Sequence, residues 1–355
     1  MSVSSMARID FVPATAEDYK ELMSISDGIY KGMDYLPFNY HAWLKDHRRR
    51  MFLAKSEGKI VGFESFLLVD GGGTAVLQGL RVAPWMRGQG MAGIIQRYCL
   101  DKLHSDHPQV KRVRLTRGED PPPNLLRMFK VINSKAMVSI LLPSDQLEKD
   151  IKLLESRLDN VGRSIDCTIV EPAEVLKLFD GTKTREDLFP GDLLVQNWLP
   201  LTTHRSNLEM LFERGVIWIY SEACNTSGSS ELSAENSAGS ADGYQTNNEN
   251  LVRRGPPTQP SSPAGFLSLG TPAFPVAYAN ATYVFHIDLY GVDQASLKRH
   301  IIEQIKLCIQ TLPAGSSIFC FMYTEQSLRS DLIHLCEGLT PFVVLKDQMV
   351  LEMDI

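Results

Sequence analysis

Three absences narrow this 355-residue chain before any motif is read. It has no window of about 18 apolar residues, so no segment reads as a membrane span. Its first residues, Met1-Ser2-Val3-Ser4-Ser5-Met6, hold no apolar signal region. A cytoplasmic, soluble protein with no membrane partner is the expectation. Cysteine is sparse, and the six residues (Cys99, Cys167, Cys224, Cys308, Cys320, Cys336) are scattered through the chain. None has the spacing of zinc ligands, and a chain of this length needs no disulfide staples. They read as reduced thiols, mostly in the core, and no metal is expected. An excess of positive charge is also missing: 36 Lys and Arg stand against 42 Asp and Glu, a net charge of −6. That argues against a nucleic-acid partner, because no broad basic surface is available to neutralise phosphates. The local basic runs, His47-Arg48-Arg49-Arg50 and Lys111-Arg112 with Arg114, read as solvated faces.

With 44% hydrophobic and 22% charged residues, the chain has ample material for packed cores, and its length points to two domains. The most informative stretch runs from Leu77 to Tyr98. It reads as an apolar strand through Val82, an exit marked by Pro84, the turn Arg87-Gly88-Gln89-Gly90, and then a helix. Gly88 and Gly90 allow main-chain N–H groups to approach an anion closely. The first N–H groups of the helix are unpaired and carry the positive end of its dipole. Arg87 adds a guanidinium suited to phosphate. The combination predicts a pyrophosphate cradle; the competing reading is a tight strand-to-helix turn with no ligand. Gly88-Gln89-Gly90-Met91-Ala92-Gly93 also spells G-x-G-x-x-G, yet it follows several strands instead of opening a βαβ unit. No Gly-Lys-Ser/Thr follows, which excludes a P-loop.

Around this stretch the pattern predicts a strand at residues 9–12 and a helix with Thr15 as N-cap and Asp18 as its partner. A hairpin at 51–55 and 60–69, a strand at 74–82, a helix at 90–103 and a strand at 110–116 follow. A helix at 124–132, a strand at 136–142 and a helix at 145–161 come next. Residues 29–44 concentrate aromatics around Pro37, among them Tyr35, Phe38 and Trp43, and suit either a pocket for a small amphipathic ligand or an aromatic anchor on the sheet. Glu64 stands among apolar strand residues, where a carboxylate is either inert at a rim or partly desolvated, with its proton affinity raised. Residues 221–264, rich in Ser, Gly, Asn and Pro, predict a disordered loop. The last part predicts strands at 281–289 and 316–322, helices at 292–311 and 326–337, and closing strands at 341–345 and 349–353.

Arg87-Gly88-Gln89-Gly90-Met91-Ala92 resembles the Arg/Gln-x-x-Gly-x-Gly/Ala motif of the GNAT acetyltransferase superfamily, and Leu80-Arg81-Val82-Ala83-Pro84 its fourth strand. The element order over about residues 8–145 agrees. The fold this implies is α/β, a mixed sheet with a GNAT-type domain at 8–145, a connecting helix and the start of a second domain at 146–220, and a degenerate GNAT-like domain at 265–355. The turn Tyr290-Gly291-Val292-Asp293 of the last part has no arginine and an acidic residue where phosphate would sit, so cofactor would be repelled there. An unrelated α/β module remains the alternative for that half.

The resemblance implies acetyl-CoA as co-substrate, with its pyrophosphate on Arg87, Gly88, Gln89, Gly90, Met91 and Ala92 and its pantetheine arm on the main chain of Leu80, Arg81 and Val82. Acetyl transfer to an amine needs a proton acceptor, donors for the thioester oxygen, a proton for the thiolate, and correct placement of the two reactants. Glu64, acting through water, is the expected base, ahead of Glu119 and Asp120. The helix position that often holds a Tyr acid in GNAT enzymes is Phe129 here, which leaves thiolate protonation unassigned. Tyr35, Phe38, Trp43 and Arg117 are the expected acceptor residues, with Arg48 to Arg50 also able to pair with a carboxylate. The tandem arrangement and Met33-Asp34-Tyr35-Leu36-Pro37 resemble the vertebrate histidine N-acetyltransferases, which implies transfer to the α-amino group of a free amino acid, L-histidine first. A protein or peptide N-acetyltransferase and a non-catalytic acyl-CoA-binding protein are the alternatives.

Overall fold

The apolar runs of the first half fold as a meander. In the computed structural model, which describes residues 8–26, 28–118, 121–158, 165–222, 265–342 and 345–355, β1 (Ile9–Pro13), β2 (Arg49–Ser56), β3 (Lys59–Val69) and β4 (Thr74–Val82) pair antiparallel in that order. Glu57 and Gly58, at φ 50° and 80°, make the β2–β3 turn, whose twist matches a two-residue hairpin. Between β1 and β2 lie α1 (Tyr19–Ser24) and α2 (Leu36–Lys45), and after β4 comes α3 (Met91–Asp106). A Cβ on Gly62 would meet Ile95 of α3, whereas the neighbouring Phe63 stacks near Tyr40 of α2. Alternation along β3 therefore puts α2 and α3 on opposite faces of the sheet, and β3 is buried along nearly its whole length.

After α3, β5 (Arg112–Arg117) returns parallel to β4, the single turn α4 (Pro123–Leu126) follows, and β6 (Lys130–Leu142) closes the first half. The second half runs through α5 (Leu147–Ser156), β7 (Thr168–Ile169), α6 (Pro172–Asp180), α7 (Thr182–Leu188), the hairpin β8 (Leu193–Gln196) and β9 (Leu199–Thr202), α8 (Arg205–Glu213) and β10 (Ile217–Ser221). It continues with β11 (Phe266–Gly270), β12 (Phe274–Pro275), β13 (Thr282–Tyr290), α9 (Gln294–Thr311), β14 (Ser317–Thr324), α10 (Arg329–Leu335), β15 (Thr340–Pro341) and β16 (Asp347–Asp354). The two halves share one sheet, in the order β1-β2-β3-β4-β5-β16-β6-β14-β13-β11-β10-β7. The last strand of the chain thus lies between β5 and β6, antiparallel to both. The mixed α/β sheet expected from the sequence is the fold found.

Several local expectations need correction. The helix expected at 124–132 is one turn, because Val131 and Asn133 pair with Leu351 and Val350 of β16; long-range pairing overrides the local apolar stripe. Thr15 caps no helix. Helix α1 starts a turn later, and Asp18 accepts from the Thr15 N–H and hydroxyl, both at 2.9 Å, and from Lys55. The strand expected at 349–353 closes the first half, not the second. The one expected at 341–345 is reduced to the bridge of Thr340–Pro341 with β6, and residues 343 and 344 lie outside the described residues. Helix α5 ends at Ser156; residues 159–164 lie outside the described residues, as do 223–264, where the disordered loop was expected. Among the described residues no helix is long and apolar enough to cross a membrane.

Several apolar clusters draw residues from both halves. Under α9, Leu297, Ile301, Ile302 and Ile305 are sealed from solvent against β13 and β14, each such side chain contributing about 1.5–3 kcal/mol by burial. At the seam, Met33 packs with Phe274, Phe321 and Tyr323, so the segment before α2 rests on the second half.

Candidate active site

The first determinant of the site is a break in β4. Strands β4 and β5 pair only from Thr74 to Val76, against Arg112 to Arg114, and beyond Val76 they part. The β3–β4 register also shifts between Phe63 and Ser65, where Gly79 stands at φ 81°. A Cβ on Gly79 would lie 3.0 Å from the Phe63 ring and 3.3 Å from the Trp43 ring, so this bulge needs glycine. The break leaves main-chain groups near Leu80 to Val82 free of a β5 partner among the described residues.

The second determinant is the turn into α3. Gly90, at φ 78°, is the N-cap, and no side chain caps the helix. A Cβ on Gly88, Gly90 or Gly93 would meet nothing within 4 Å. Arg87, Gly88, Gln89 and Gly90 are exposed, and Met91 anchors the helix start in the core. Arg87 holds its own loop, Nε donating to the Val82 carbonyl at 3.1 Å; Gln89 Nε2 donates to the Trp85 carbonyl at 2.9 Å. Ala92, half-buried, sits in the first turn. An open, uncapped helix start beside a guanidinium fits a diphosphate. The Arg81 side chain does something else: buried below Tyr30 and Tyr35, it pairs with Asp34 at 2.6 Å and returns a hydrogen bond to the Leu80 carbonyl at 3.0 Å. It thereby ties the aromatic segment to the broken strand.

On the α2 face the expected acceptor residues separate into two places. Tyr35 and Trp43 lie 5.8 Å apart, Trp43 beside the Gly79 bulge. Phe38 is 53% exposed and stacks on Phe274 of β12, on the seam between the halves. Arg117, exposed at the end of β5, has no ion-pair partner among the described residues; its charge lies near enough to Tyr30 to oppose the rise in that phenol's pKa. Sequence reading missed the rest. The Thr116 hydroxyl donates to the Trp198 carbonyl at 2.7 Å, which brings the tip of the β8–β9 hairpin onto the strand that parts from β4. Trp198 Nε1 donates to the Tyr323 hydroxyl at 2.7 Å, and that hydroxyl lies 2.8 Å from His286 Nδ1. Burial alone pushes His286 down to about 3, so the ring is neutral, and its tautomer sets which partner donates in the contact with Tyr323.

Glu64 is 1% exposed. It faces α3, beside Cys99 and Gln96, whose hydrogen bonding only partly offsets the burial that raises its carboxyl to about 8. One carboxyl oxygen has no hydrogen-bond partner among the described residues. Phe129 is buried in the core around Phe66, Cys99 and Leu103. Glu119 and Asp120 lie outside the described residues. No group of three or more His, Cys, Asp or Glu that could hold a metal ion occurs among the described residues.

A mixed sheet with a parted parallel pair and an uncapped glycine-rich helix start is the arrangement expected of an acetyl-CoA-dependent acyltransferase of the GNAT fold. Comparison with known proteins makes this specific. The family model "Acetyltransferase (GNAT) family" matches residues 16–130, and "Histidine N-acetyltransferase, C-terminal" matches residues 165–240 and 244–325. The chain carries a GNAT acetyltransferase domain followed by the C-terminal domain found in histidine N-acetyltransferases. It is 29% identical, over 98% of its length, to the Homo sapiens protein named "Probable N-acetyltransferase 16", covering 86% of that protein. It is equally 29% identical to the Histidine N-acetyltransferase of Xenopus tropicalis, covering 98% of this chain and 95% of that protein. A solved tandem GNAT protein from the clavulanic acid biosynthesis pathway matches 98% of both chains with a TM-score of 0.53 at 11% identity, a likeness of fold.

Proposed function

We propose that this protein transfers the acetyl group of acetyl-CoA to the α-amino group of a free amino acid, with L-histidine as the first candidate. The observation that carries the reading is the covering of the acceptor face. The β8–β9 hairpin and α8 lie across the side of the sheet that holds Trp43 and the Gly79 bulge, fixed by Thr116 to Trp198 and by Arg214 to Asp46 at 3.7 Å. An acceptor face covered in this way suits a small amine, whereas a peptide needs an open groove. The names of the relatives supply histidine as the candidate.

Acetyl-CoA supplies the activated acyl group, and the remaining requirements fall on the chain. Arg87 and the N–H groups from Gly88 to Ala92 would hold the diphosphate, and the main chain of Leu80 to Val82 the pantetheine arm. In this reading an N–H near the bulge faces the carbonyl oxygen as negative charge develops on it. As the C–N bond forms and the C–S bond breaks, the ammonium proton must leave and the thiolate must gain one. Glu64, poised near 8, matches the proton affinity wanted of a base for an ammonium. Its carboxyl faces α3, so it would act through water passing the bulge. Its removal should abolish the rise of turnover with pH near 8. An unchanged profile in Glu64→Gln leaves Glu64 as a neutral structural acid.

Purified protein incubated with acetyl-CoA and each amino acid, with free thiol as the readout, tests the proposal. Thiol release with one or a few amino acids is expected, and release only with peptides would overturn it. The burial of Phe129, in the slot where GNAT enzymes often have a tyrosine, favours one competing reading: acyl-CoA binding without turnover. Tight CoA binding with no thiol release from any amine would establish that reading.

A further inference from the structure

Strand β2 carries one buried guanidinium that has no counter-ion among the described residues. Arg49 is 4% exposed. Its Nη1 donates to Ser65 Oγ at 2.8 Å and its Nη2 to Gln78 Oε1 at 2.7 Å, both neutral partners. Its Nε has no partner among the described residues, and its plane lies 3.7 Å over the Trp43 ring. Nearby charges do not balance it. Arg48 pairs with Asp46 at 2.9 Å and with Glu213 at 3.3 Å, and Arg214 pairs with Asp46 at 3.7 Å. Three guanidiniums therefore share two carboxylates, and the one left over is the buried Arg49. A buried charge without an opposite charge is strongly unfavourable. Burial accordingly loosens the Arg49 proton, with a pKa pushed down to about 9, which still leaves it charged at neutral pH.

Its place gives the vacancy a chemistry. Gln78 immediately precedes the Gly79 bulge, so the guanidinium is one hydrogen bond from the strand that parts from β5. Trp43 holds the plane of the fork, and Ser65 and Gln78 fix its rotation. A planar, rigidly held, unpaired guanidinium recognises a carboxylate.

We infer that Arg49 binds the α-carboxylate of the acceptor amino acid. The inference rests on the free-amino-acid reading above and deepens it. An α-carboxylate held there keeps the α-amine, one carbon away, beside the bulge. Arg49 then selects amino acids against amines that lack the carboxylate. Arg117, exposed at its strand end, has no comparable support.

Histidine and histamine share the imidazole and the amine and differ in the carboxylate. The wild type should prefer histidine over histamine by at least roughly tenfold in kcat/KM, as a charge-assisted hydrogen bond allows. In Arg49→Gln the KM for histidine should rise by roughly 10- to 100-fold with little change for histamine. Arg49→Lys should fall between the two, keeping the charge without the fork. Thermal melting and acetyl-CoA affinity check that each variant is folded, and the wild-type ratio needs no variant at all. A wild type that acetylates both amines equally overturns the assignment, as does an Arg49→Gln that loses both in proportion or neither. In those cases turnover of histidine still stands. A wild type that acetylates no amino acid removes the free-amino-acid reading and this inference together.

Discussion

The molecule contains the same strand–turn–helix corner twice, and only one of the two is open. In the first, β4 and β5 part after Val76, α3 starts without a side-chain cap, and Arg87 stands beside it. In the second, β13 and β14 stay paired from Thr282 and Ser317 to Asp288 and Tyr323. Asp293 caps α9 there, its carboxylate accepting from the Ser296 N–H at 2.7 Å. A Cβ on Gly291 would strike the Phe266 ring at 2.5 Å, whereas one on Gly88 or Gly90 would meet nothing within 4 Å. The second corner has filled its anion position with its own carboxylate and closed its wedge with hydrogen bonds. On the proposed reading an acyl-CoA site in this fold uses an uncapped helix start and parted strands, and the second corner has neither.

Importing the cap into the open corner is the largest test. Gly90→Asp places a carboxylate at the α3 N-terminus, at a residue with φ 78°, which Asp tolerates better than most residues. Like charge at the diphosphate position should weaken acetyl-CoA binding by roughly 100-fold or more, about 3 kcal/mol, read by calorimetry with the fold checked by circular dichroism. Unchanged affinity would dissociate the helix start from the cofactor.

The next contrast is between buried carboxyls, Glu64 on β3 and Asp288 on β13. Burial raises both; Lys135 restrains Asp288 at about 7, while Glu64 reaches about 8 with no cation beside it among the described residues. The unfolded chain releases the Glu64 proton near 4.5, and the folded chain keeps it until about 8. The stability tied to this group is therefore full below pH 4.5 and declines as pH rises through 8. Glu64→Gln should flatten that decline, by a few kcal/mol between the two limits, in urea melts at pH 5 to 9. Identical slopes for wild type and variant would place the Glu64 proton elsewhere.

The shape of the first corner was legible because it is local. Gly88 and Gly90 predict an open turn into a helix, which the structure leaves uncapped, and Asp293 predicts a capped one, as found. Strand order was not legible: that β16 lies between β5 and β6 depends on partners more than two hundred residues apart in sequence, as with Arg114 and Glu352. Leu125, Leu126, Met128 and Phe129 satisfy a helical stripe, and only the pairing of β6 with β16 shows why the helix stops. Trp198 was hidden because Asn197 and Trp198, at φ 45° and 65°, make a two-residue turn without the glycine that announces one. Arg48 to Arg50 were legible as possible carboxylate partners; what was not legible is that only Arg49 is buried. Period-two alternation sets it in line with Met51 and Leu53, on the apolar face of β2, while Arg50 falls on the other face. A run of three arginines looks solvated until the strand divides it.

A milder change at the open corner separates charge from shape. Arg87→Glu leaves the glycines and the parted strands intact and reverses one exposed charge, so acetyl-CoA affinity should fall by roughly tenfold, less at high salt. A loss that ignores salt would mean that Arg87 serves through its hydrogen bond to Val82 instead.

The smallest effect belongs to the closed corner and is the sharpest control. Asp293→Ala removes the α9 cap and should cost about 1 kcal/mol of stability in a denaturant melt. It also empties the position that repels a diphosphate, so if the cap alone excluded cofactor, a second acetyl-CoA would bind. The paired β13 and β14 argue that none will, because those strands spend on each other the main-chain groups that a pantetheine arm would need. Calorimetric stoichiometry decides it. One cofactor per chain in the variant leaves the parting of β4 and β5 as the feature that makes a GNAT corner a site, and two would make the helix cap sufficient.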